Sequence, residues 1–146
     1  MGRVVALSPD RVAPGLLIAC CAGLFAGVLP LVAGAPVAWA VTTGVLLALP
    51  LALLGIGYGA LRAHGVLRGG AFAPVALFWV IGFPLARLVQ DVGTRLVLDG
   101  GFALPPSPLG FLAYQAMLSI GFAIGFVWVH ERLTGVGHAW SARRSS

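Results

Sequence analysis

Apolar and polar positions divide the chain into four long apolar runs separated by short breaks. Nothing is charged between Arg11 and Arg62, between Arg68 and Arg87, or between Asp99 and His130. A helix that crosses a bilayer needs roughly 20 predominantly apolar residues. The pattern therefore predicts spans over about 14–32, 36–61, 71–90 and 108–133. "VAGAP" (32–36) reads as an uncharged turn, "RAHGVLRGG" (62–70) as a basic loop and "PPSP" (105–108) as a stiff turn. Ser8-Pro9-Asp10 and Ser107-Pro108 each pair a capping serine with proline at the first helical position. Pro50 removes one backbone donor and is expected to kink the second span. Residues 1–134 form one transmembrane domain on this reading. The tail, 135–146, has turn residues near its start and is expected to be irregular or surface-bound.

Small residues recur along the predicted helices at close to one turn. Gly15, Ala19, Gly23 and Gly27 share one face of the first span, and Ala48, Ala52, Gly55 and Gly59 share one face of the second. Such faces let helix backbones approach closely in lipid, so the first two spans are expected to pack as a tight hairpin. Gly121 and Gly125 make a shorter face of the same kind in the fourth span.

One passage breaks the apolar monotony: "FPLARLVQDVGTRLVLDGG" (83–101) places Arg87, Asp91, Arg95 and Asp99 at intervals of four. At 100° per residue, Leu85, Leu88, Val89, Val92 and Leu96 share one side, while Arg87, Gln90, Asp91, Thr94 and Arg95 share the other. Asp99 drifts off the polar side, and Gly100-Gly101 fits a helix end. Ala71 to Ala86 is only about 24 Å long. The third span is therefore expected to end near Gln90, with Arg87 snorkelling to the outer head groups. The remainder is expected to lie along the outer interface as a short amphipathic helix. The alternative turns Arg87 into the bundle, where Asp91, Tyr114 and Gln115 would line a polar path with it.

Composition sharpens the class. Of the 146 residues 60% are hydrophobic and 9% charged, too few polar groups to cover a soluble domain. The formal charge of +5 is carried by arginine alone, with no lysine and no asparagine anywhere, a usage that suggests a GC-rich bacterial genome. Because these arginines flank apolar runs, their expected partner is anionic lipid rather than nucleic acid. Arg3 and Arg11, then Arg62 and Arg68, then Arg132, Arg143 and Arg144 fall on one side of the membrane. The positive-inside rule places that side, with both termini, in the cytoplasm of a bacterial inner membrane.

Little in the chain suggests chemistry. Cys20 and Cys21 are adjacent inside an apolar run, without the spacing of a thiol-redox motif. "LIAC" (17–20) and "AWA" (38–40) resemble processing sites, but the apolar stretches before them have the wrong lengths, so the first span is expected to remain uncleaved. His64, His130 and His138, with Glu131, lack the spacing that puts two metal ligands on one helix face, and no haem or other cofactor is implied. Trp39, Trp79, Trp128, Trp140 and Tyr58 are expected in an interfacial aromatic belt. The sequence thus predicts an all-α membrane protein: four transmembrane helices with a short outer interfacial amphipathic helix after the third. The expected function is non-catalytic, a subunit or stabiliser of a larger membrane assembly. The alternative is a self-associating small channel or carrier with a polar path at Arg87 and Gln115.

Overall fold

A computed structural model describes residues 9–66 and 72–144. The described residues form four helices, α1 (Pro9–Val32), α2 (Val37–Ala63), α3 (Phe72–Leu98) and α4 (Pro108–Arg144). All four contain a segment long and apolar enough to cross a membrane. Each packs on its neighbours in a ring, α1 on α2, α2 on α3, α3 on α4, with the thinnest seam between α4 and α1. Large apolar side chains face outward on every helix, among them Leu24, Leu53, Leu77 and Met117. That arrangement suits lipid as the surrounding solvent. Arg3, Ser8 and Arg68 lie outside the described residues.

The connections end helices by standard means. Gly34 sits at φ +89°, and the Gly34 and Ala35 amides reach back to the Leu31 and Pro30 carbonyls, a Schellman closure of α1. Gly100, at φ +69°, plays the same positive-φ role just after α3. Pro108 is the first residue of α4, and the Ser107 carbonyl accepts from the Phe111 amide at 2.9 Å.

The α1–α2 seam is the tightest in the molecule. A methyl carbon built on Gly15 would stand 2.9 Å from the Gly55 Cα, and one on Gly23 would stand 2.6 Å from the Ala48 Cβ. Gly27 meets the Ala40 carbonyl in the same way, at 2.9 Å. Ala19 is buried, and Ala52 packs against the core beside it. The contact row also includes Gly44, whose Cβ would lie 2.8 Å from the Gly23 carbonyl. By contrast, Gly121 and Gly125 face open space on the outside of α4. Among the described residues they pack against no other helix.

Three further expectations are corrected. α3 is one unbroken helix of 27 residues through Pro84, so the chain after Gln90 is not a separate interfacial helix. A proline inside a helix removes one hydrogen bond and need not end it. α4 runs 37 residues to Arg144, about 55 Å, so the tail is helical rather than irregular. Glycine in a helix costs only about 1 kcal/mol relative to alanine, which Gly135 and Gly137 evidently do not make decisive. Finally, Trp79 and Tyr58 belong to the core and not to an interfacial belt. Trp79 is 1% exposed and packs on Phe122 and Phe126 at ring-centroid distances of 4.9 and 4.4 Å. Tyr58 meets Phe126 edge-on at 5.0 Å, and Phe83 joins the cluster through Phe122 at 4.9 Å. These rings close the half of the bundle nearer the termini.

Candidate functional site

The wheel separated α3 into apolar and polar sides, and the structure keeps those sides but inverts their surroundings. Leu85, Val89 and Leu96 face outward, whereas Gln90 and Thr94 are 4% and 6% exposed inside the bundle. In water an amphipathic helix turns its apolar side inward. In lipid the same helix lowers its free energy by turning its polar side inward, away from hydrocarbon that offers no hydrogen bonds.

The inward side of α3 faces a cavity of about 750 Å³. Four tiers of contact fix its register. Gly82 approaches Leu54 and Gly93 approaches Leu46, so α3 runs antiparallel to α2 and brings Thr94 to the level of Thr43. Phe83 against Phe122 and Trp79 against Phe126 set α4 antiparallel to α3, which brings Gln115 to the level of Gln90. Every one of Thr43, Gln90, Thr94 and Gln115 is buried, and each lines the cavity. Phe25, Ala26, Leu29 and Pro30 of α1 form its apolar wall.

The charges order themselves along α3. Arg95 Nε–H donates to Asp91 Oδ2 at 3.2 Å, a partly exposed i,i+4 pair. Asp99 follows the helix end, its amide donating to the Arg95 carbonyl at 2.8 Å. Arg87, about three turns deeper, donates to Gln90 Oε1 and makes no ion pair among the described residues. Counted from Pro74, where the apolar part of α3 begins, Arg87 lies about 20 Å along the axis. A hydrocarbon core of roughly 30 Å that starts at Pro74 would put it about 10 Å inside the far edge. Arg87 faces the cavity together with Asp91, Tyr114 and Gln115, so the four residues proposed as a polar path come together.

Two polar atoms here are left without a protein partner. Gln115 Oε1 and Thr94 Oγ1 are fully buried and make no hydrogen bond. A buried polar group left unpaired costs about 1–3 kcal/mol. The hydroxyls nearby behave otherwise: Thr43 and Ser119 donate to the Trp39 and Ala116 carbonyls, each at 2.6 Å. Thr94 Oγ1 and Gln115 Oε1 thus belong to residues of the cavity wall that also carries Arg87, while a third unpaired buried atom, Trp79 Nε1, lies in the aromatic cluster.

Toward the termini the cavity lining ends at Leu47 and Phe83, and Phe83 packs on Phe122 of the aromatic cluster. Elsewhere, His64 Nδ1 lies 2.8 Å from the Ala60 carbonyl at the end of α2. The side chains of His130, Glu131 and His138 lie outside the described residues, and among the described residues no three His, Cys, Asp or Glu converge. Cys20 and Cys21 face outward from α1. Gln90, Thr94 and Thr43 are wall residues beyond the expected path, although Gln90 and Thr94 share Arg87's side of the wheel. Compared with protein-family models, curated proteins and solved structures, the chain has no match.

Proposed function

We propose that the chain is a non-catalytic, multi-pass membrane protein that holds a polar group in a crevice at one face of its bundle. The observation that carries this reading is the placement of Arg87, which makes no ion pair among the described residues, with buried, unpartnered Gln115 Oε1 and Thr94 Oγ1 around one cavity. Unsatisfied polar groups in a native core call for a partner that the protein alone does not supply. The aromatic cluster beneath the cavity argues against conduction through a single bundle, since a solute would have to part Trp79, Phe122 and Phe126. By the arginine distribution the crevice opens to the outer side of a bacterial inner membrane, with both termini cytoplasmic. No side chain at the crevice forms a nucleophile and base pair, which supports binding over catalysis.

A second reading, membership of a larger membrane assembly or a complex of several copies, draws on α4. There Gly121 and Gly125 leave room for a neighbouring helix on the outside of the bundle.

Native mass spectrometry of the full chain, released from mild detergent, tests both. A small adduct present on the wild type and absent from Arg87→Gln supports the crevice reading. Bare chain in both, or equal adducts on both, counts against it, as does ion flux through reconstituted wild-type protein. Masses of further chains, or multiples of this one, support the second reading.

A further inference from the structure

We infer that the crevice takes a membrane lipid, specifically an amphiphile with an anionic phosphate head, a free hydroxyl and an acyl chain. This rests on the crevice reading and deepens it. Four features select this class. Arg87 is the cation of the crevice left without an ion-pair partner among the described residues, so it suits an anionic oxygen head. Gln115 Oε1 is a buried acceptor without a donor in a residue of the cavity wall; rotation of the side chain toward the cavity would present it to a hydroxyl, which can satisfy it where a bare anion cannot. Phe25 and Leu29 on α1, and Leu118 on α4, line the cavity and are also exposed on the outer surface. They flank the thinnest seam of the ring, so the cavity communicates sideways with the bilayer and offers an acyl chain an apolar rail. A zwitterionic head fits less well. The other charge left over, Asp99, stands about 18 Å from Arg87 along the helix, too far for one head group to bridge. Asp91 also attracts Arg87 across one helical turn, but its carboxylate accepts from Arg95.

Equilibrium titration of the purified full chain in dodecyl maltoside micelles tests the inference. The probes are oleoyl lysophosphatidylglycerol, oleoyl lysophosphatidylcholine, oleate and inorganic phosphate. The expected result is saturable binding of the lysophosphatidylglycerol at one site, with the other three weaker. Arg87→Gln should weaken it about tenfold to a hundredfold, as loss of a charge-assisted hydrogen bond implies. Gln115→Leu should weaken it severalfold. Leu29→Trp fills the rail without touching Arg87 and should weaken the lysolipid while leaving phosphate unaffected. If Arg87→Gln does not fold, the Gln115→Leu and Leu29→Trp results decide. Unchanged affinity in folded Gln115→Leu and Leu29→Trp overturns the inference, and so does wild-type binding that does not distinguish phosphatidylglycerol from phosphatidylcholine heads. Inorganic phosphate binding as tightly as the lysolipid also overturns it, but leaves the polar crevice itself standing.

Discussion

Substituting Gly23 by alanine adds one methyl group where α1 and α2 leave no room for it. The new carbon would lie 2.6 Å from the Ala48 Cβ and 2.8 Å from the Gly44 carbonyl oxygen, whereas ordinary contact begins at 3.4 Å. The shortfall is thus about 0.8 Å against a side-chain methyl with no freedom to swing and a backbone carbonyl. Only separation of the helices relieves it. A radial gap of 0.5–1 Å forfeits roughly a quarter to a half of each dispersion contact along the seam. Overpacking of this kind costs about 1–3 kcal/mol, while alanine's better helix propensity returns at most about 1 kcal/mol. The net expectation is a loss of up to about 2 kcal/mol. Gly121→Ala is the control: its methyl meets nothing within 4 Å, so that variant should equal or slightly exceed the wild type. Both are measured by titrating the protein with dodecyl sulfate in mixed micelles and following helicity. Equal midpoints for Gly23→Ala and Gly121→Ala would refute the packing argument.

Other perturbations separate stability from binding. Gln115→Leu removes an unpaired buried carbonyl oxygen at similar volume and should raise unfolding free energy by about 1 kcal/mol in the same titration, even as it weakens ligand binding. Trp79→Ala empties the centre of the aromatic cluster and should cost about 3–5 kcal/mol, read as a large shift of the dodecyl sulfate midpoint. Arg95→Gln breaks a pair whose side chains are 42% and 30% exposed, so stability should change by less than about 1 kcal/mol, and less still at high salt.

The helices and the α1–α2 seam were legible because length, apolarity and four-residue spacing are local properties. Gly15, Gly23, Gly27, Ala48 and Gly55 could be read directly. Gly44 was within reach too, since it stands one turn before Ala48 on the same row. Gly121 and Gly125 show the limit of spacing, which states that two residues share a face but not what the face meets. On α4 the inward face is instead Gln115, Ser119, Ala123 and Phe126, all buried. The amphipathic stretch of α3 was misplaced for a related reason. Its two sides were visible, but the wheel does not say whether the polar side faces water, head groups or a neighbouring helix. That choice was decided by α2 and α4, whose Thr43 and Gln115 offer a polar tier at the same level. Likewise, Trp79 and Tyr58 resembled belt residues because aromatic type and position near a span end do not reveal a cluster assembled from three helices.

The central claim is that water and polar groups reach the Arg87 tier from one side only. Site-directed thiol labelling in sealed membranes tests it most directly. In a background with Cys20 and Cys21 replaced by alanine, cysteines are placed at Asp91, partly exposed in the cavity wall, and at Ala123, within the core. A charged, membrane-impermeant thiosulfonate is applied to vesicles of each orientation. Asp91→Cys should react from the face of the 33–36 and 99–107 connections and not from the other, and Ala123→Cys should react from neither. Labelling of Asp91→Cys from both faces, or from neither, would contradict a one-sided polar crevice.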